Sequence, residues 1–131
     1  PSWVPDNETF FITIGCKPSG RESPTWDPVS KALLESVGFY QELEKWWCHL
    51  FLLMPDHLHA LLVFPSENSM RKTIAAWKSY HARKNGVVWQ DGFFDHRIRN
   101  DAEFFEKAAH VRNNPVRANL VKKSEDWPHL V

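Results

Sequence analysis

The chain has 131 residues, 43% of them hydrophobic, with 16 basic and 16 acidic side chains that cancel to a net charge of zero. That length suits one domain over residues 1–131 with a real core, and no apolar run reaches the ~18 residues of a membrane span, so no membrane partner is expected. The balance is uneven: residues 1–65 sum to −4 and residues 66–131 to +4, a pattern that fits either ordinary solvated helix faces or a half that faces nucleic acid. Pro1–Asp6 lacks the basic and apolar regions of a signal peptide. Cys16 and Cys48 form no close pair, and a reducing, cytoplasmic setting is expected.

Glu8 to Lys17 is rich in β-branched and aromatic residues and predicts a first strand. Pro18 to Pro28 reads as a loop. Asp27 is a candidate cap for a helix with Pro28 in its first position. That helix should run to about Lys45, with Val29, Leu33, Leu34 and Val37 on its periodic face. Trp46 to Met54 is nearly continuously apolar, as in a central strand covered on both faces. Pro55-Asp56 suits a tight connection to an antiparallel partner, His57 to Phe64. Ser69 to Lys84 predicts a second helix with Met70, Ile74, Trp77 and His81 on one face, ended by Asn85-Gly86. An Asp91-Gly92 turn precedes a fourth strand, Phe93 to Arg99. Asn100 and Glu103 make a weak capping pattern for a last helix, from Asp101 to Asn113 or Asn114, where Pro115 should stop it. The order β-α-β-β-α-β-α predicts an α+β fold, a ferredoxin-like antiparallel sheet (βαββαβ) with an additional C-terminal helix.

Within this order, His57 and His59 stand two apart on a strand and so project from one face. Two imidazoles on a rigid surface are half of a divalent-metal site. As isolated features they would equally be two partly exposed strand histidines. A site needs a third ligand, and the last helix offers one. His110 and Asn114 are four apart and share a helix face. If that face lies across the histidine strand, Asn114 can donate an amide oxygen, with His110 as another ligand or a proton-transfer group.

Three segments together resemble the HUH single-strand transposases, and most closely the REP-associated tyrosine transposase-like branch. Met54-Pro55-Asp56-His57-Leu58-His59 is similar to the family's Met-Pro-Asn-His-apolar-His element. Trp89-Gln90 with Phe94-Asp95-His96-Arg97-Ile98-Arg99 is similar to its Trp-Gln and Phe-Asp segment. His110 to Val121 resembles its Tyr-Ile-x-x-Asn-Pro-Val-x-Ala-Gly-Leu-Val signature. The resemblance implies that His57, His59 and Asn114 hold a divalent ion, Mg or Mn. It also implies that a helix tyrosine attacks a phosphate of single-stranded or hairpin DNA to form a covalent intermediate that is later rejoined.

The chain departs from the family pattern at three positions. His110 stands where the family has its nucleophilic tyrosine, Asp56 replaces an asparagine, and Asn119 replaces a glycine. Three explanations stay open for His110: a decayed or domesticated DNA-binding relative, a working histidine nucleophile, or an engineered inactivating change. A His57/His59/His110 ligand set would shift metal preference towards Zn and would suit a small metal-dependent hydrolase.

Arg97, Arg99, Arg112, Arg117, Lys78 and Lys122 are candidate phosphate contacts. Trp89, Phe93 and Trp127 are candidates either for the core or for stacking on bases. The expected partner is single-stranded or hairpin DNA near the nucleoid, bound by a monomer or homodimer.

Overall fold

The computed structural model describes residues 1–17 and 24–131. Three strands lead the chain order, β1 (Thr9–Gly15), β2 (Trp47–Met54) and β3 (His57–Val63), with β4 (Phe94–Arg97) following later. The helices are α1 (Asp27–Glu42), α2 (Glu67–Asn85), α3 (Asp101–Arg112) and a single turn, α4 (Asn114–Arg117). A short 3-10 turn over Ser124–Asp126 precedes the C-terminal residues. The strands form one antiparallel sheet in the order β2-β3-β1-β4. This is the split βαβ arrangement the element order predicts, α+β and ferredoxin-like. Residues 18–23, most of the predicted first loop, lie outside the described residues.

Alternation along the strands divides the side chains between two layers. Phe10, Ile12, Ile14, Leu58, Ala60, Leu62, Phe51 and Leu53 face α1 and α2 and meet Val29, Leu33, Val37, Ile74 and Trp77 in the main core. Phe11, Leu50, Leu52, Met54 and Leu61 point the other way and are met by Ile98, Ala108, Val111 and Trp127. This second cover, α3 and the C-terminal tail, protects a sheet face that a bare ferredoxin-like domain leaves open. His57 and His59 lie on this second face.

Several local expectations change. Trp46 to Met54 reads as a central strand, yet β2 is an edge strand. Its apolar run reflects cover from other sources: both faces are buried, and the C-terminal tail closes its free edge. Phe51 and Val131 exchange two backbone hydrogen bonds (3.0 and 2.9 Å), and the Leu53 amide donates to His129 (2.9 Å). Nothing local in Pro128-His129-Leu130-Val131 signals a strand, so only the tertiary partner reveals the pairing. Asp27 is the first residue of α1 rather than its cap; Trp26 holds the cap position, and the Asp27 carboxylate complements the helix dipole instead. The second helix starts at Glu67, two residues early, because Ser66 and Ser69 form a reciprocal capping box. Asn85-Gly86 ends it as expected, with Gly86 in the left-handed region (φ 71°). Asn100 caps α3 through Glu103 N–H (2.9 Å). Pro115 ends α3, but the chain re-enters a helical turn immediately.

Candidate metal centre and nucleic-acid face

The β2–β3 hairpin fixes the first two candidate ligands. Met54 pairs with His57 and Leu52 with His59 across it, while β1 places Gly15 and Thr13 on the other side. Every residue in these rows shares one sheet face, so the two rings stand together, with centroids 4.7 Å apart.

Each imidazole is held by its Nδ1. Asp56 Oδ1 lies 2.6 Å from His57 Nδ1, and Thr13 Oγ1 lies 2.9 Å from His59 Nδ1. With both Nδ1–H groups donating to those oxygens, the lone pairs lie on the Nε2 atoms, where that of His57 meets the Asn114 amide. That is the outer-sphere arrangement typical of metal-binding histidines. Phe11 stacks on the His59 ring at 5.2 Å and fixes its plane. The His59 imidazole is held down to about 4, first by burial and then by the positive surroundings of His57, His110, Arg117 and Lys107. It is therefore neutral at pH 7, the form a metal requires.

The third candidate arrives from the end of α3. Asn114 Nδ2 lies 3.2 Å from His57 Nε2, although the two residues are 57 apart in sequence. The amide also carries an oxygen acceptor at the same end. Ala108 and Val111 are the buried stripe that lays α3 on the sheet, and Pro115, buried itself, turns the chain so that Asn114 meets the hairpin. Two imidazoles and one carboxamide thus converge. The donor set fits a divalent ion that keeps water on its remaining positions. Among the described residues, no three His, Cys, Asp or Glu side chains converge on one point. The three-histidine set that would favour Zn is therefore not assembled.

His110 sits one turn before Asn114 on α3 and is exposed. Burial, Arg117 and Lys107 lower its pKa, against a smaller opposing effect of Glu106. Its backbone carbonyl accepts from Arg117 Nη2 at 2.7 Å, so Arg117 closes the helix end. The two tyrosines cannot substitute at this position. Tyr40 and Tyr80 lie on α1 and α2, on the opposite face of the sheet, beside a depression of about 750 Å³. A Ser36–His81–Asn85 chain in that wall looks like a catalytic relay. Ser36 Oγ donates to Leu33 O (2.6 Å), while Trp77 Nε1 donates to it (2.8 Å) and His81 Nε2 lies 2.8 Å away. The hydroxyl's hydrogen-bonding capacity is filled, which makes the relay a structural clasp.

The candidate phosphate contacts separate in space. Arg112 and Lys122 are exposed on the α3 and C-terminal side. Arg97 stands on the helix-facing side of β4, beside Asp95, Asn68 and Arg71. Arg99 lies beyond β4, not on it, and its guanidinium is 3.8 Å from Glu103. Lys78 is corrected outright: its ammonium donates to Gln90 O (2.9 Å) and Gly92 O (2.6 Å), clasping the loop before β4 to α2. The aromatic candidates are also structural. Trp89 donates to Lys78 O and packs on Trp77, Phe93 lies under Arg71 at 5.8 Å, and Trp127 donates to Leu53 O.

Sequence reasoning missed Lys107, whose ammonium lies 5.2 Å over the Phe11 ring beside His59. Its spacing, three before His110 and seven before Asn114, was the available signal. Thr13 was also missed, and no local pattern marks it. Asn119, at the glycine position of the family pattern, adopts φ 61°. Asparagine is the non-glycine residue that most readily enters that region, so the replacement keeps the backbone path.

No protein-family model matches the chain. A REP-associated tyrosine transposase of Escherichia coli K12 is 28% identical over 123 residues, which cover 92% of this chain and 73% of that protein. A relative from Haemophilus influenzae named for the same family is 26% identical over 94 residues, 59% of this chain and 53% of its own length. The solved structure of a REP-associated tyrosine transposase bound to a REP hairpin matches with a TM-score of 0.73 over 95% of this chain and 76% of that one, at 21% identity. That likeness establishes the shared fold. With the histidine pair, the Asn-Pro turn and the matching element order, the chain is similar to the REP-associated tyrosine transposases in sequence and in fold.

Proposed function

We propose that this protein binds hairpin or single-stranded DNA and seats one backbone phosphate at a divalent-metal centre formed by His57, His59 and Asn114. The observation that carries the reading is the 3.2 Å approach of Asn114 to His57 Nε2, with both Nδ1 atoms already engaged by Asp56 and Thr13. When bound, the ion would polarise a phosphate oxygen and stabilise charge developing at phosphorus. The protein's own part is positioning. Asp56 and Thr13 hold the imidazoles in the ligating tautomer, and Phe11 holds the ring plane of His59. Lys107 supplies positive charge beside the centre. Arg112 and Lys122 supply the salt-sensitive grip on the DNA backbone.

The attacking group is the second question. With His110 at the tyrosine position, we read the protein as retaining recognition and phosphate seating without tyrosine-type strand transfer. A second reading is favoured by the place of His110, one turn from Asn114, and by its lowered pKa. In it, an imidazole lone pair forms an N–P bond as the bond from phosphorus to the 3′ oxygen breaks. The leaving oxygen takes a proton from water, and the imidazolium releases its N–H proton.

Fluorescence anisotropy with a labelled REP hairpin tests the main reading. Wild-type protein should bind, Mn²⁺ should tighten binding, and His57→Ala should lose only the Mn²⁺-dependent part. Binding that is indifferent to Mn²⁺ and to His57→Ala contradicts the metal centre. The second reading requires an acid-labile protein–DNA adduct that is absent from His110→Ala.

A further inference from the structure

We propose that the depression beside His57, walled by Phe94, is a pocket for one unpaired nucleobase next to the seated phosphate. This inference rests on the DNA-binding reading above and adds a named base-stacking residue to it.

The pocket has a volume of about 510 Å³, and its lining includes Thr13, Asp56, His57, Gln90, Gly92 and Phe94. It therefore opens directly onto the candidate metal ligand. β4 pairs with β1 so that Phe94 stands opposite Thr13, and β3 places His59 on the other side of Thr13. Phe94, Thr13 and His59 thus form one row across the same sheet face, with Phe94 two strand spacings, roughly 10 Å, from the histidine. That span suits a nucleotide adjoining the one whose phosphate is seated.

Phe94 is 58% exposed, while its neighbour Phe93 packs against the main core. A lone exposed aromatic is ordinary. What distinguishes Phe94 is the rigid polar wall facing it. Lys78 clasps the carbonyls of Gln90 and Gly92, and the Gln90 amide donates to Gly15 O at 2.9 Å. A Cβ on Gly15 would fall 2.3 Å from Gln90 Oε1, so only glycine lets the Gln90 side chain lie where it does. A flat ring on one side and, on the other, a carboxamide carried by a clasped backbone match a nucleobase, which offers a π-face and hydrogen-bonding edges. Phe93 also lines the pocket, but it packs against the main core, and Phe94 is the exposed ring of the lining.

A double-mutant cycle tests the pocket. The probe is a fluorescein-labelled REP hairpin with unpaired flanks, made intact and with an abasic site at each flank position in turn. Phe94→Ala should weaken binding to intact DNA roughly 5- to 150-fold, the range for loss of one stacked base, with an unchanged melting temperature. Phe94→Trp should bind within a few-fold of wild type. One abasic position should produce the same loss in wild-type protein, and on that oligonucleotide Phe94→Ala should cost nothing further. Wild-type affinity in Phe94→Ala overturns the proposal, as does a loss of equal size on every abasic oligonucleotide. Absence of wild-type binding to any hairpin would instead remove the DNA reading beneath it.

Discussion

Two histidine environments show how context sets the role of one residue type. His57 and His59 are each held at Nδ1 and turn Nε2 towards the candidate centre, where that of His57 meets the Asn114 amide, whereas His81 is engaged by Ser36 and Asn85 within the core and is 1% exposed. For the first pair the account predicts that Asp56→Asn weakens Mn²⁺ binding about 10- to 100-fold in calorimetry, because an amide cannot match the carboxylate as a partner for Nδ1–H. Unchanged affinity would remove Asp56 from the centre. For His81, burial lowers the pKa to about 4 in the folded state, against an ordinary 6.5. The unfolded chain therefore binds the extra proton between those values. Above pH 6.5 both states are neutral and the residue has no effect on pH dependence. As pH falls from 6.5 to 4 stability declines, by up to about 3 kcal/mol, and then levels. In denaturant titrations His81→Gln should flatten that limb. The His-x-His pair was legible in sequence because strand periodicity is local. Its partners were not, because Thr13 and Asn114 reach it only through the sheet register and the docking of α3.

At the scale of elements, local signals located most strands and helices but not their surroundings. Continuous hydrophobicity correctly marked β2 as buried on both faces and wrongly made it central, since the tail that covers its edge carries no strand pattern. The capping box at Ser66 was equally available in sequence, but the apolar period beginning at Met70 drew the helix start to Ser69. Charge alone marks Lys78 as a phosphate contact, because it cannot reveal the two carbonyls the ammonium clasps. Lys78→Met should destabilise the fold by roughly 1–3 kcal/mol through loss of those charged hydrogen bonds, read as a lower denaturation midpoint. Asn119 offers a backbone test of the turn after α4. Asn119→Ala should cost about 1 kcal/mol in the left-handed conformation, and Asn119→Gly should cost nothing or stabilise. Equal melting temperatures for the two variants would contradict the φ of 61°.

Across the whole molecule the sheet separates two tasks. One face carries the main core and its two helices, with both tyrosines. The other carries His57, His59, Phe94 and the junction of α3 and α4 that bears His110 and Asn114. Among the described residues no helix is long and apolar enough to cross a membrane. Removing an exposed cation that grips DNA should lower the slope of log affinity against log salt by about one, and Arg112→Ala is predicted to do so. Lys78→Met should leave that slope unchanged. The central claim is that the His57, His59 and Asn114 centre is intact and lacks only the family's attacking residue. It is tested most directly by incubating His110→Tyr with labelled REP hairpin and Mn²⁺ and resolving the products on a denaturing gel. The account predicts a covalent protein–DNA adduct that disappears when His57→Ala is added. A His110→Tyr protein that binds the hairpin and forms no adduct, or one whose adduct survives His57→Ala, would contradict it.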